Sequence, residues 1–587
     1  MKSLLSLTYH VLRDCGALCG VKVDRDWKTI ADRVEEEGVS FLEITLPSFA
    51  EALEGALANE GWDPSTCLAF GRARRALPRF LRGFTAQIFD SSGELLSDAS
   101  SDAIYAVRQI CRLHKKVFAV CAPKYEARSI DAFIKCEEDM REYWYEPEHL
   151  RALSVSCVRL FGSRLSKIEQ SIANGTLVPR HGPGSTADRL SGNAKFASRY
   201  WPQRLQAVAD HREYIDPIWA EVPLAVSSPP PGAELPVRVV TVPKTANKAR
   251  VIAMEPANVQ YVQQALLGEF MREFSGGSPF VDLSDQEANR KLALRGSVDG
   301  SLSTIDLSEA SDRVGLALVQ SVFSRFPLLL EFLEATRSHC ASVPDRGIIP
   351  LSKFASMGSA LCFPVESIVF ATIAAHAVAC ERFRTAAPSR RELLSLADEV
   401  RVFGDDIIVP RRETPACLSW LVSFGAKPNA AKSFWNGSFR ESCGKDYWRG
   451  DDVTVVYRRS EFPKTRRDAK QIACTVSLRN QLYWAGLWGA AKYLDERLES
   501  LVPMPLVAAS AAVMGRESIF GFEVQRWHSD FQSPLVWGAC VVGDPPPSVI
   551  TEEGALLKCL LPGRVEPFQD VRHLERGGRP RSLRTKL

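Results

Sequence analysis

The chain has 587 residues, 45% apolar and 24% charged, an ordinary globular composition that can bury several cores and predicts two to four structural units. Lys and Arg number 73 against 70 Asp and Glu, so the formal charge of +3 by itself gives no argument for a nucleic-acid partner, which must rest on local clusters. The 15 cysteines repeat no short spacing: Cys111 to His114 ("CRLH") is the nearest thing to a zinc half-site, no second half follows, and free thiols in a reducing compartment are expected.

At the N-terminus, "MKSLLSLTYHVLRDC" offers a short apolar run, but His10, Arg13 and Asp14 break it too early for a signal peptide. Helical periodicity follows in residues 105–121 ("YAVRQICRLHKKVFAVC") and 156–175 ("SCVRLFGSRLSKIEQSIANG"), the latter closed by Asn-Gly. Ser227 to Pro236, "SSPPPGAELP", can continue neither a helix nor a central strand and marks a boundary. Beyond it, strand signals in "VRVVTVP", "ARVIAME" and "STIDLS" alternate with helical ones, including a helix from about Ser311, which predicts a mixed α+β region. Ile368 to Cys380, "IVFATIAAHAVAC", is too short to span a bilayer and is expected to be a buried helix of a cytoplasmic protein. After about Ser460 helical patterns return in "ACTVSLRNQLYWAGLWGAAKYLDERLESLV", and the basic tail "RHLERGGRPRSLRTKL" is expected to be mobile.

Chemistry concentrates in "VRVFGDDIIVP", Val400 to Pro410. Apolar alternation on both sides of Gly404-Asp405-Asp406 predicts a β-hairpin with that triplet as its turn, since Gly and Asp tolerate positive φ. Two adjacent carboxylates beside apolar strands are unfavourable unless a cation neutralises them. Another oxygen ligand is offered by "STIDLSEASDR", where Asp306 ends a short strand; together the three carboxylates could hold two Mg²⁺ ions, which prefer carboxylate, water and phosphate oxygens. A turn without chemistry and a helix cap at Asp306 are the plain alternatives.

The order of these segments is what makes them specific. Asp306 to Asp312 resembles motif A of RNA-dependent RNA polymerases, "SMGSALCFPVES" motif B and "FGDD" motif C. With "VPKTANKARVIAMEP" before them and "NAAKSFWNGSFRESCGKDYWRGDDVTVVYR" after, the stretch from about Val237 to Arg459 resembles the replicase β subunits of the small positive-strand RNA bacteriophages, the leviviruses.

That resemblance implies a right-hand polymerase of α+β class. Residues 1–235 would be a mainly helical region contributing to the fingers. Residues 236–460 would hold fingers and palm with motifs F, A, B, C, D and E around a ferredoxin-like antiparallel sheet, and 461–587 a helical thumb with a basic tail. It also implies two Mg²⁺ ions, with Mn²⁺ able to substitute, on Asp306, Asp405 and Asp406. Lys432 would be a proton donor to pyrophosphate. Lys244, Lys248 and Arg250 would grip the triphosphate, Asp312 would sense the ribose 2′-hydroxyl, and Ser356, Gly358 and Glu366 would form the motif B part of the nucleotide site. Two positions depart from the wider polymerase pattern: Cys362 stands where Thr is usual, and Glu366 where most have Asn, although leviviral enzymes share an acidic residue there.

The implied activity is RNA-templated RNA synthesis, copying a single-stranded phage genome through a minus strand without a primer in the cytoplasm of a bacterial host. Template RNA, ribonucleoside triphosphates, host elongation factors Tu and Ts and a ribosomal protein are the implied partners, with no membrane. A reverse transcriptase-like polymerase is the nearest enzymatic alternative, and a non-catalytic RNA-binding protein the alternative from another class. Two basic clusters with aromatic neighbours, Phe70 to Gly83 and Tyr457 to Lys470, fit RNA backbone contacts or solvated faces.

Overall fold

In the computed structural model a 22-residue helix, Cys362–Phe383, runs through the largest apolar core. The structure describes residues 2–70, 76–117, 121–182, 184–215, 225–544, 554–556, 558 and 579–586. From Cys362 to Ala379 this helix is buried almost all round, as a helix apolar on every face must be. It is longer than the Ile368 to Cys380 segment expected, and by length and composition could cross a membrane, yet 89% of its most apolar window is buried within the protein. It packs on helices Pro147–Ala173 and Thr414–Ser423 and on the hairpin formed by residues 401–410.

The strands make several small sheets. β1 (Val237–Thr245) and β2 (Lys248–Met254) form a hairpin, and β3 (Leu302–Ile305) is followed after one residue by β4 (Leu307–Ser308). β5 (Cys340–Val343) and β6 (Gly347–Pro350) form a second hairpin, which extends the first into the order β2-β1-β5-β6. β7 (Arg401–Phe403) and β8 (Asp406–Pro410) form a third, and β3 joins it antiparallel in the order β3-β8-β7. Single bridges, Thr304 to Phe434 and Val281 to Val402, continue that sheet on both sides. β9 (Lys427–Pro428) pairs with β4, while β10 (Phe439–Ser442) and β11 (Lys445–Trp448) form a further antiparallel hairpin. The molecule is therefore mixed helix and sheet, as expected.

Two large cores divide the chain in a way that crosses positions 235 and 460. One gathers residues between Cys136 and Ile215 with residues between Tyr261 and Ala426. The other joins residues between Leu7 and Leu113 to Phe434, Phe439, Trp448 and the helices Ala469–Trp484 and Trp488–Glu499. Arg108, fully buried, ties this second core to the β10–β11 hairpin: its guanidinium lies 2.8 Å from Glu54 and 2.9 Å from Asp446 and also bonds the Val453 carbonyl, while Arg112 closes on Glu54.

Two local expectations are corrected. The helix from about Ser311 is only a 3-10 turn, Ser311–Arg313, and the α-helix begins at Leu316. The intervening backbone is held extended by residues 352–354, since Leu316 N–H donates to the Ser352 carbonyl and Phe354 N–H to that of Val314. The helical patterns expected after Ser460 do form, as two helices separated where Gly486 takes φ +79°. Of the basic tail, residues 572–578 and 587 lie outside the described residues, whereas Arg579–Lys586 is a strand rather than a mobile end, because the backbone groups of Gly538–Asp544 pair with it antiparallel.

Candidate active site

The hairpin expected at "FGDD" forms, with a tighter turn than the triplet suggested. Phe403 pairs directly with Asp406, so the loop is the two residues Gly404 and Asp405, and Asp406 is the first residue of β8. Of the two loop residues only Gly404 takes a positive φ, +62°, as a two-residue hairpin with Gly first allows. A Cβ at Gly404 would stand 3.0 Å from the Phe363 ring and 3.2 Å from Glu366 Oε1. The turn thus lies directly on the first turns of the Cys362–Phe383 helix, where Gly404 N–H donates to Ser367 Oγ at 3.0 Å.

Asp306 reaches the same place from the neighbouring strand. β3 pairs with β8 as far as Ile305 and Ile407, so the next step of the register brings Asp306 opposite Asp406. One residue later the chain leaves that partner and pairs through Leu307 with Pro428. Asp306 sits at this change of partner and is fixed there by the 429–433 segment. Asn429 N–H donates to its carbonyl at 2.9 Å and Asn429 Nδ2 to its Oδ2 at 2.8 Å, while its own N–H donates to Ser433 Oγ at 3.1 Å. Lys432 Nζ stands 3.9 Å from Asp306 Oδ2. Asn429 and Ser433 flank Lys432 in "NAAKSF"; the sequence drew attention only to the lysine, because the hydrogen bonds of its neighbours depend on a strand more than 120 residues away.

The carboxylates repel one another. Burial, with the charges of Asp405 and Asp306, pushes Asp406 up to about 6 despite a bond from the Cys443 backbone. Burial likewise raises Asp306, helped by Asp405 and opposed by Lys432, Asn429 and Lys244. Among the described residues no three His, Cys, Asp or Glu side chains are already closed on one point as a metal cluster would be. The donors nevertheless suit a hard cation: three clustered carboxylates with unrelieved repulsion are what Mg²⁺ neutralises, and this ion takes one or two carboxylates and completes its shell with water and phosphate.

Positive charge rings the carboxylates. Burial opposes the charge of Lys432, yet Glu441 and Asp306 hold its ammonium above the usual lysine range. Lys244, at an irregularity in the β1–β2 pairing between Pro243 and Thr245, is pushed down to about 8 by burial and by the neighbouring charges of Arg250, Lys432 and Lys248. Lys248 and Arg250 are exposed on alternate positions of β2, as the strand period requires. Lys244 thus feels both Lys432 and Asp306, so the basic hairpin and the acidic turn belong to one site.

The "SMGS" segment lies against the same hairpin. Ala253 N–H donates to the Met357 carbonyl at 2.8 Å, and Gly358 adopts φ +131°, packed so closely on β2 that a Cβ would fall 2.9 Å from the Ala253 carbonyl carbon and nearer still to its oxygen. Ser356 is buried, and its hydroxyl has no hydrogen-bond partner among the described residues. Glu366 is buried next to Gly404, with Cys362 Sγ 4.0 Å from its Oε2; burial and the charges of Asp405 and Asp312 hold its carboxyl well above the usual range.

Asp312 lies in the 3-10 turn and not, as expected, in the first turn of a helix. Nor is it a free carboxylate, because Lys353 Nζ donates to its Oδ1 at 2.6 Å. Lys353 is fully buried, and no local pattern marks it: a lone Lys in "PLSKF" has the form of a solvated surface residue.

The basic clusters are partly structural. Residues 71–75 of the first lie outside the described residues; its Phe70 and Phe80 stack at 5.0 Å inside the N-terminal core, so these rings are not free for bases. In the second, Arg458 is buried against His114 at 2.9 Å and Glu43 at 3.3 Å, leaving Arg459, Lys464, Arg466, Arg467 and Lys470 on the surface.

Residues 235–484 match the family model described as RNA replicase, beta-chain. The RNA-directed RNA polymerase subunit beta of Qbeta virus (strain MX1) is 36% identical over 264 residues, 44% of this chain and 40% of that protein. The beta chain of Escherichia phage MS2 is 38% identical over 219 residues, 37% of each chain. The chain spans about 40% of the length of the curated relatives it matches. Solved structures with some likeness include an RdRp complex (TM-score 0.40, 12% identity, 70% of this chain and 39% of that one) and the BmCPV RNA dependent RNA polymerase at quiescent state (TM-score 0.41, 11% identity, 77% and 43%). All the residues singled out from motifs F, A, B, C and D lie inside the stretch that matches the RNA replicase, beta-chain model, residues 235–484.

Proposed function

We propose that this chain is an RNA-templated RNA polymerase that copies a single-stranded RNA phage genome through a minus strand. The observation that carries the proposal is the meeting of Asp306 with Asp405 and Asp406 across adjacent antiparallel strands, beneath Lys432 and the Lys244–Arg250 hairpin. In this reading the β3-β8-β7 sheet is the palm, β1 and β2 belong to the fingers, and the helices after Ala469 form the thumb.

Two Mg²⁺ ions on the three carboxylates would activate the 3′-hydroxyl and hold the triphosphate. Lys244, Lys248 and Arg250 supply fixed positive charge where negative charge develops on the leaving phosphates. Lys432, kept protonated by its acidic neighbours, is placed to give a proton to pyrophosphate. Glu366, whose carboxyl burial holds well above the usual range, stands beside the turn, and Asp312 offers an acceptor for the 2′-hydroxyl. Initiation without a primer, host elongation factors Tu and Ts with a ribosomal protein as partners, and a place in the cytoplasm of the bacterial host follow from the family resemblance.

The test is Asp405→Asn, nearly isosteric. Template-dependent incorporation of ribonucleotides with Mg²⁺ should fall at least a hundredfold, while RNA binding measured by filter retention stays within about twofold. Full synthesis by the variant would remove the metal assignment, and deoxyribonucleotides being preferred by the parent chain would favour a reverse transcriptase.

A further inference from the structure

The chemistry proposed for Asp312 requires its carboxylate to point steadily at a ribose, and the three-residue 3-10 turn that carries it fixes the backbone but not the side chain. Its fixed point is the buried Lys353, to which the proposed function gives no role. Lys353 Nζ lies 2.6 Å from Asp312 Oδ1 and 2.8 Å from Glu137 Oε1, and 3.7 Å from the centre of the Phe133 ring. Its side chain has no exposure to solvent, whereas that of Asp312 keeps 22%.

The backbone around Lys353 is also anchored. Arg337 donates to the carbonyls of Leu351 and Lys353, and Ser352 N–H donates to Glu137 Oε2 at 2.6 Å. A buried ammonium held on a pinned strand between two carboxylates has one low-energy arrangement, which fixes both partners. On Asp312 it engages only Oδ1; among the described residues nothing donates to Oδ2. This carboxylate is also close enough to Glu366 and Cys362 for its charge to act on both, which places it on the side of the Cys362–Phe383 helix that meets the acidic turn.

We propose that Lys353 is a positioning residue for sugar selection: by holding Oδ1 of Asp312 it leaves Oδ2 as the fixed acceptor for the ribose 2′-hydroxyl and so sets the preference for ribo- over deoxyribonucleotides. The proposal rests on the polymerase reading above. Because Glu137 and Phe133 lie on the helix Pro123–Arg141, it also makes the N-terminal region a structural part of nucleotide selection.

The experiment compares kcat/KM for ribo- and deoxyribonucleoside triphosphates on an RNA template, using the full chain with Asp312→Ala, Lys353→Met, the double variant, and Leu165→Ala as a control that destabilises a buried site elsewhere. Both single variants should lower the ribo/deoxy ratio about tenfold or more, chiefly by raising KM for the ribonucleotide, and the double variant should be no worse than Asp312→Ala alone. Should Lys353→Met melt below the assay temperature, Lys353→Gln, which keeps one donor, is read in the same way. A ratio unchanged in the Lys353 variants, or lowered equally by Leu165→Ala at a matched melting temperature, overturns the proposal. Absence of templated synthesis by the parent chain overturns the polymerase reading and this proposal with it, a result distinct from active synthesis with unaltered selection.

Discussion

Replacing Gly358 by Ala adds one methyl group at the point where the motif B segment touches β2. The contact is with backbone, so no side-chain rotation relieves it: the Cβ would stand 2.9 Å from the Ala253 carbonyl carbon and 3.3 Å from Ile252 Cγ2, with the Ala253 oxygen closer than either. At φ +131° an L-residue carries strain of about 1–3 kcal/mol. Moving the segment away loosens the 2.8 Å bond from Ala253 N–H to the Met357 carbonyl, a further loss of about 1 kcal/mol. The sum, about 2–4 kcal/mol, divides between global stability and a local shift of the segment. Differential scanning calorimetry and templated synthesis read the two parts separately. A melting temperature lowered by several degrees, or an unchanged melt with nucleotide KM raised severalfold, is expected. An unchanged melt together with unchanged kinetics would show that β2 and the segment are not in contact as described.

Two further perturbations probe the charge layout. Because burial and three cationic neighbours lower Lys244 to about 8, it is protonated below that pH and loses its charge above it. A triphosphate binds the protonated form, so kcat/KM for nucleotide should fall as pH rises through about 8, and Lys244→Arg, which stays charged, should remove that limb from the profile. Arg108→Met leaves the buried Asp446 carboxylate without its cation, Glu54 keeping Arg112, and should destabilise the fold by about 3–5 kcal/mol in urea unfolding, whereas an unchanged midpoint would mean the pair is solvated in solution.

The acidic hairpin was legible because two local signals coincide there: alternating apolar residues on both sides and a Gly-Asp turn. Lys244, Lys248 and Arg250 were legible for the same reason, since a hairpin of period two sorts its own faces. What escaped depends on partners distant in sequence. Nothing near Ser311 says that residues 352–354 will pair with residues 314–316 and delay the helix. Nothing near Lys353 marks it as buried, because its partners Asp312 and Glu137 lie 41 and 216 residues away and only the fold brings them together. Asn429 and Ser433 were missed for that reason too: each is an ordinary polar residue until the change of pairing at Asp306 exposes backbone groups that need partners.

The stretch that matches the replicase family model, residues 235–484, therefore contains the side chains of the candidate site but not all that holds them. On one flank Asp312 depends on Lys353, whose second carboxylate and aromatic cover come from Glu137 and Phe133 in the N-terminal region. On the other, Lys432 is kept charged by Glu441, a residue of β10 whose neighbour in the hairpin, Asp446, is paired with Arg108. Each flank thus ends in a buried ion pair with residues outside the matched stretch, and removal of Lys353 or Arg108 leaves a buried carboxylate, Glu137 or Asp446, without its cation. Both large cores likewise draw on residues before 235. The residues before 235 are for these reasons part of the body that holds the candidate site rather than an appendage, even though the sequence resemblance there is faint: a partner that supplies only a carboxylate or a ring to a buried lysine leaves no motif.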